Sequence, residues 1–326
     1  MKLPILKFVP IFKTVLWGGQ RIADFKGLPS QGSHVGESWE LSPMPGRESV
    51  AITPPFAGRT LTSIIDEYGK DILGQRIYEE TNGNFPLLIK LIDADDDLSI
   101  QVHPDARMEA EGRTSNGKNE LWYSIAPREG AYLYAGFNTD VNPDVVGRKI
   151  GDKTIVDALR KFYTAPGDVF YIPAGCVHSL GPGNLVLEIQ EASDITYRVY
   201  DYDRRDADGN ARELHVREGL EVMDYDMDFM ALCRFKPQDN KEVEMVKSRH
   251  FTTTFHAVDA PVSVPLVHRN SFSVFVAVKG SAKIVDDCGR ETSIARGETV
   301  LVPASIKSIQ IVPEAGGTVE LVSAYR

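Results

Sequence analysis

Apolar and polar positions along the chain predict mostly short strands and turns, with helices at the edges. Residues 1–58 are rich in Pro and Gly, and segments such as VLWGG and VGESWELSPM read as irregular edge strands. Trp17, Glu37 and Trp39 in that region read as packing residues with a buried polar clasp. Residues 60–80 carry Ile64, Ile65, Tyr68, Ile72 and Ile77 at helical spacing, with Gly69 and Gly74 as weak points, which predicts one broken helix or two short ones. A run from Leu87 to Ile92 reads as a fully apolar strand; with the turn Asp95-Asp96-Asp97 and the segment LSIQVHP it predicts a hairpin. Residues 142–162 look helical in two pieces, with Asn142 as N-cap and Pro143 at the first helical position.

Further along, LVLEIQ and ITYRVYDYD alternate as two half-buried strands, and a short amphipathic helix is expected around 213–224. The stretch FKPQDNKE, residues 235–242, is the best linker candidate, and beyond it the chain is almost all strand and turn. The expected fold is therefore mainly β with peripheral helices, in two jelly-roll-like barrel halves, residues 1–238 and 239–326. An internal repeat supports two related halves. RGETVLVPASIKSI mirrors PGDVFYIPAGCVHSL at an offset of 130, so that Ser308 falls at the place of His178. On that reading only the first half binds a metal.

The candidate chemistry sits between residues 98 and 183. Gln101 and His103 are two apart on a strand and share a face; Glu120 follows on NELWY, expected to run alongside. His178 is presented by the tight turn at Pro173-Ala174-Gly175. An amide oxygen, two imidazoles and a carboxylate form a donor set for a divalent metal, while each taken singly is also an ordinary polar residue of a β protein. Lys118, two residues before Glu120, is either a substrate or acid–base group on the same face or a solvated loop lysine at the end of the polar stretch EAEGRTSNGK, which reads as a loop at the mouth of the site. Arg198 on a barrel-lining strand suits bidentate capture of phosphate or sugar oxygens, with a surface ion pair as the plainer alternative; Asp194 lies four residues earlier on the same face. The Asp95–Asp97 run lacks the glycine and distal glutamate of a calcium loop and reads as a solvated turn.

Composition narrows the field. With 42% hydrophobic and 25% charged residues the chain has ample core, and a net charge of −10 offers no footprint for nucleic acid or an anionic membrane. The absence of a long apolar run or leader pattern leads us to expect a cytoplasmic protein, a monomer or homodimer. Cys176, Cys233 and Cys288 are widely spaced and odd in number, which argues for structural thiols.

The blocks VLWGG, GESWELS, FPLLIKLIDADDDLSIQVHPD, NGKNELWY, PAGCVHSLGPG and LEIQEASDITYRVYDYDR together resemble the short bacterial form of type I mannose-6-phosphate isomerase, a zinc enzyme of the cupin fold. The resemblance covers nearly the first two thirds of the chain. It implies one zinc ion held by Gln101, His103, Glu120 and His178, a phosphosugar met by Lys118 and Arg198, and an acid, Asp194, engaged in the sugar chemistry. It also implies interconversion of mannose 6-phosphate and fructose 6-phosphate through an enediol. Two alternatives stand beside it: another metal-dependent cupin isomerase or epimerase, and a sugar-binding cupin without turnover. Lys118 and Arg198 favour a phosphorylated substrate over a free sugar, and Asp194 beside a full ligand set favours turnover over binding alone.

Overall fold

The computed structural model describes residues 2–105, 117–226 and 230–326. Most of the loop expected at the mouth of the site lies outside them. Among the described residues no helix is long and apolar enough to cross a membrane.

The first half is a sandwich of two antiparallel sheets. The larger orders its strands Leu232–Cys233, Val169–Ile172, Glu120–Ser124, Leu185–Glu191, Leu87–Asp93, Val35–Leu41 and Ile11–Thr14. The smaller orders Tyr197–Tyr200, Ile100–Val102, His178–Leu180, Tyr132–Phe137 and Leu159–Tyr163. Trp122, Phe170 and Ile172 of the larger sheet meet Leu133, Ala135 and Leu180 of the smaller in one buried cluster. The strand Leu87–Asp93 is therefore buried on both faces, which explains its nearly unbroken apolar run. Its Leu87, Ile89 and Leu91 face outward, into a second core shared with Ile64, Ile65, Ile72 and Ile77 of the helices Leu61–Leu73 and Gln75–Glu80. Those helices match the expected pair, broken at Gly74 with φ 85°.

Two expectations change. Leu87–Asp93 and Ile100–Val102 belong to different sheets, so the acidic turn does not close a hairpin but carries the chain from one sheet to the other. It is anchored there by buried Asp93, which accepts from Arg21 Nε at 2.6 Å. The second helical piece of 142–162 is one 3₁₀ turn, Ile155–Ala158; Leu159–Tyr163 is a strand paired with Tyr132–Phe137. The first piece, Pro143–Gly151, is capped as expected, with Asn142 Oδ1 accepting from Val145 N at 3.0 Å.

The second half repeats the sandwich with six strands facing four, filled by Phe275, Ile284, Val300, Ile309, Ile311 and Leu321. The N-terminal Leu6–Lys7 joins its larger sheet beside Val300 and Leu301. The internal repeat is structural: Val169–Ile172 and Thr299–Val302 correspond residue for residue, each preceded by a glycine at positive φ, Gly167 at 84° and Gly297 at 78°. The turns that follow diverge. Gly175 takes φ 84°, a left-handed conformation that Ser305 does not adopt. After it His178 is buried, whereas Ser308 is exposed and Ile309 points inward. At the place of His178 the second half therefore turns Ser308 outward and Ile309 inward, the reversal of face that a one-residue difference in register gives a strand.

Candidate metal and substrate site

Between the two sheets of the first half the expected ligand residues converge. Gln101 and His178 are cross-strand partners, and Arg198 pairs with Gln101 from the other side, so these three side chains form one row on the inner face of the smaller sheet. His103, two residues beyond Gln101, has the same facing. Glu120 reaches the row from the opposite sheet, across the interior and not from a neighbouring strand as its sequence position suggested.

His103, Glu120 and His178 present ligand atoms within 4.8 Å of one another, all buried. His103 Nε2 lies 3.2 Å from Glu120 Oε1, and His178 Nε2 lies 3.5 Å from Oε2. The ring orientations are fixed from behind. His103 Nδ1 pairs with the Ile195 carbonyl at 2.9 Å and His178 Nδ1 with the Cys176 carbonyl at 2.9 Å. Each Nδ1 therefore carries the proton and each Nε2 turns a lone pair inward, the tautomer a metal requires. The Gln101 amide touches His178 Nε2 at 3.3 Å and accepts from Ser99 Oγ at 3.2 Å.

The electrostatics agree. Burial, reinforced by the Lys118 ammonium, pushes the His103 imidazole down to about 3, and burial also lowers His178, so both rings are neutral at physiological pH. Burial opposes charge on Glu120, but the Lys118 ammonium outweighs it and holds its carboxyl well below the ordinary value. Lys118 Nζ stands 2.8 Å from Oε1, at ion-pair distance yet outside the angular range of a hydrogen bond. Both Glu120 oxygens are thus buried without a directed donor among the described residues. Lys118 already supplies one cation at ion-pair distance, and a further cation among these lone pairs would give both oxygens a directed partner.

The residues expected to meet substrate are placed unequally. Lys118 is buried and joins the cluster, its Nζ 3.2 Å from His103 Nε2. Arg198 is half-buried and donates from Nη1 to the Glu213 carbonyl at 3.0 Å, while its Nε is buried without a partner among the described residues. Burial and the neighbouring Arg212 lower its affinity for a proton. Asp194 stands apart at the rim. It is 45% exposed and 3.4 Å from Arg47, and it lines a cavity of about 870 Å³ whose wall includes Gly117, Glu191, Ile195 and His250.

Two groups escaped the sequence reading. Lys90 interrupts the apolar run of Leu87–Asp93. On the inner face its Nζ meets Glu188 Oε1 at 2.8 Å and Gln190 Oε1 at 2.6 Å, and Glu188 Oε2 takes Trp122 Nε1 at 2.8 Å. Burial disfavours the Lys90 charge, but the carboxylates of Glu188, Glu37 and Glu120 outweigh it and raise its pKa. Burial also raises Glu188. A lysine in the middle of an otherwise apolar strand was the available signal. The second group is His250, from the turn before Thr252–Val258 in the C-terminal half. Its Nδ1 meets Glu191 Oε1 at 2.8 Å, and Glu191 Oε2 accepts from Asn119 Nδ2 at 2.7 Å and Asn119 N at 3.1 Å. Asn119 separates Lys118 from Glu120, so the second half holds the segment that carries both.

A family model described as phosphomannose isomerase type I, catalytic domain, matches residues 5–135. Mannose-6-phosphate isomerase ManA of Bacillus subtilis is 40% identical over 223 residues, 67% of this chain and 68% of that protein. The probable mannose-6-phosphate isomerase GmuF of the same organism is 34% identical over 302 residues, 90% of this chain and 92% of the relative. Among solved structures, the mannose 6-phosphate isomerase from Bacillus subtilis superposes with a TM-score of 0.87 at 28% identity, covering 99% of this chain and 100% of its own.

Proposed function

The chain belongs to the type I phosphomannose isomerase family of mannose-6-phosphate isomerases, and on that premise we propose that it interconverts mannose 6-phosphate and fructose 6-phosphate in the cytoplasm with one zinc ion per chain. The observation that carries the metal assignment is Glu120, a buried carboxylate without a directed donor, facing two imidazoles whose Nδ1 protons are already engaged. Gln101, His103, Glu120 and His178 would hold the ion, a nitrogen and oxygen set with a single negative charge that suits zinc. When bound, zinc supplies Lewis-acid stabilisation of the oxyanion that develops at the sugar carbonyl, without redox side chemistry.

The chain's own residues do the rest in this reading. Moving a proton between C2 and C1 passes through an enediol, which calls for a polar wall on the reacting oxygens and an anchor for the distant phosphate. Lys118 presents its ammonium beside His103 and Glu120, where negative charge on the sugar oxygens would develop. Arg198, next to Gln101 across the strand pair, takes phosphate oxygens with its free guanidinium edge. Asp194, on the cavity wall beside Ile195, engages sugar hydroxyls as they enter. Residues 1–238 carry the chemistry, and residues 239–326 support it.

Metal analysis of variants tests this. His103→Ala and His178→Ala are expected to lose most of the zinc while keeping the circular dichroism of the parent. Full metal content in both would overturn the ligand assignment.

A further inference from the structure

A second cavity, of about 330 Å³, opens in the C-terminal half between the end of Glu242–Lys247, the turn 248–251, the turn Val267–Arg269 and the end of Val319–Tyr325. Its lining is one-sided. Six of its ten residues are basic, Arg76, Lys247, Arg249, His268, Arg269 and Arg326, and none is acidic, in a chain whose net charge is −10. The others that bear on a ligand are polar or aromatic: Ser248, Thr252 and Tyr325.

Gathering cations in one hollow is unfavourable unless an anion offsets them. The chain supplies only part of that offset. Glu242 pairs with Arg269, and Glu80 lies 3.1 Å from Arg76 and 3.9 Å from Arg326. Lys247 and His268 make no ion pair among the described residues. Arg269 is the built part of the site. Its side chain is fully buried, with Nη1 donating to Ser273 Oγ at 2.8 Å and its guanidinium 4.3 Å over the Tyr325 ring. Its Nε remains buried without a partner among the described residues. A guanidinium fixed on three sides, ringed by further cations, is a receptor for a tetrahedral oxyanion. The volume lies at the small end of the range for ligand pockets, about 300–1,000 Å³, and so fits a small molecule and not a polymer.

We propose that this cavity is a second anion site, separate from the metal cluster, that binds a small phosphate ester through Arg269, Lys247, Arg249 and His268. Its turn is continuous with His250, whose pairing with Glu191 leads to Asn119, so an occupant would sit one residue from the contact that joins the second half to the catalytic segment.

The test is calorimetric titration with inorganic phosphate at low ionic strength. It uses the full chain, Arg198→Ala, which removes the proposed anchor of the first site, and the double variant Lys247→Glu/His268→Glu in both backgrounds. Both changes are at exposed positions, and circular dichroism melting checks that folding is intact. The proposal expects saturable phosphate binding to persist in Arg198→Ala and to weaken at least about tenfold when the double substitution is added. Absence of saturable binding in Arg198→Ala at millimolar phosphate, or an affinity unmoved by the double substitution, would overturn it.

Discussion

Replacing Lys90 with Met tests the interior polar cluster where its energetics are most one-sided. Methionine keeps the length and apolar stem of the side chain but removes the ammonium that meets Glu188 and Gln190. Glu188 then keeps one donor, Trp122 Nε1, and is left as a buried carboxylate without its cation. Breaking a buried pair from one side costs about 3–5 kcal/mol. A ceiling applies, because the group can take up a proton instead. From an ordinary glutamate value of 4.5, neutralising it at pH 7 costs about 3.4 kcal/mol, at about 1.36 kcal/mol per unit. The two figures converge on a loss near 3 kcal/mol at pH 7.

In the variant the folded state holds a proton on Glu188 that the unfolded chain releases above 4.5, so stability falls as pH rises, and the defect is largest at pH 7 and shrinks as pH is lowered. Urea unfolding of the chelated protein, followed by tryptophan fluorescence at pH 5, 6 and 7, measures this without a metal contribution. Adding Glu188→Gln to Lys90→Met is expected to restore most of the loss at pH 7. A defect below about 1 kcal/mol at pH 7, or one independent of pH, would refute the reasoning.

His250→Ala is expected to lower kcat about tenfold while metal content stays near that of the parent, and His250→Gln to recover most of it, because the side chain acts on Lys118 only through Glu191 and Asn119. Equal kcat in all three proteins would show that the contact does not position the site. Arg198→Ala is expected to raise KM for mannose 6-phosphate at least about tenfold, the loss of a charge-assisted phosphate contact, with zinc content unchanged; steady-state kinetics that match the parent would contradict the anchor. His256 is buried, and burial together with Arg269 holds its pKa near about 3, so the folded chain refuses a proton that the unfolded chain accepts below 6.5. Stability therefore falls with pH between about 6.5 and 3, by about 1.4 kcal/mol per unit from this group, and His256→Asn should flatten the chelated protein's unfolding profile there by that slope.

The convergence of Gln101, His103 and His178 was legible because its signals are local. Gln101 and His103 share a face by strand periodicity alone, and Pro173-Ala174-Gly175 marks the turn that presents His178. The helices at 61–80 and the Asn142 cap were legible for the same reason. What failed was non-local. Periodicity does not say which sheet a strand joins, so Ile100–Val102 was paired with Leu87–Asp93 and Glu120 was set beside its partners when it faces them across the interior. Ser308 sits where the repeat puts it, but the strand there turns its other face inward, after a turn with Ser305 in the place of Gly175. Lys90 was absorbed into an apolar average, although its partners are 98 and 100 residues away. His250 lies 59 residues from Glu191, and no motif announces that contact.

In the proposed function one metal at the His103, Glu120 and His178 cluster drives isomerisation of a phosphosugar. Its most direct measurement is a coupled assay of mannose 6-phosphate to fructose 6-phosphate on the purified protein, after chelation and during stepwise return of zinc, with bound metal counted at each step. The metal-free protein is expected to show no turnover, and activity to recover fully at about one zinc per chain. Undiminished turnover with no metal bound would contradict it.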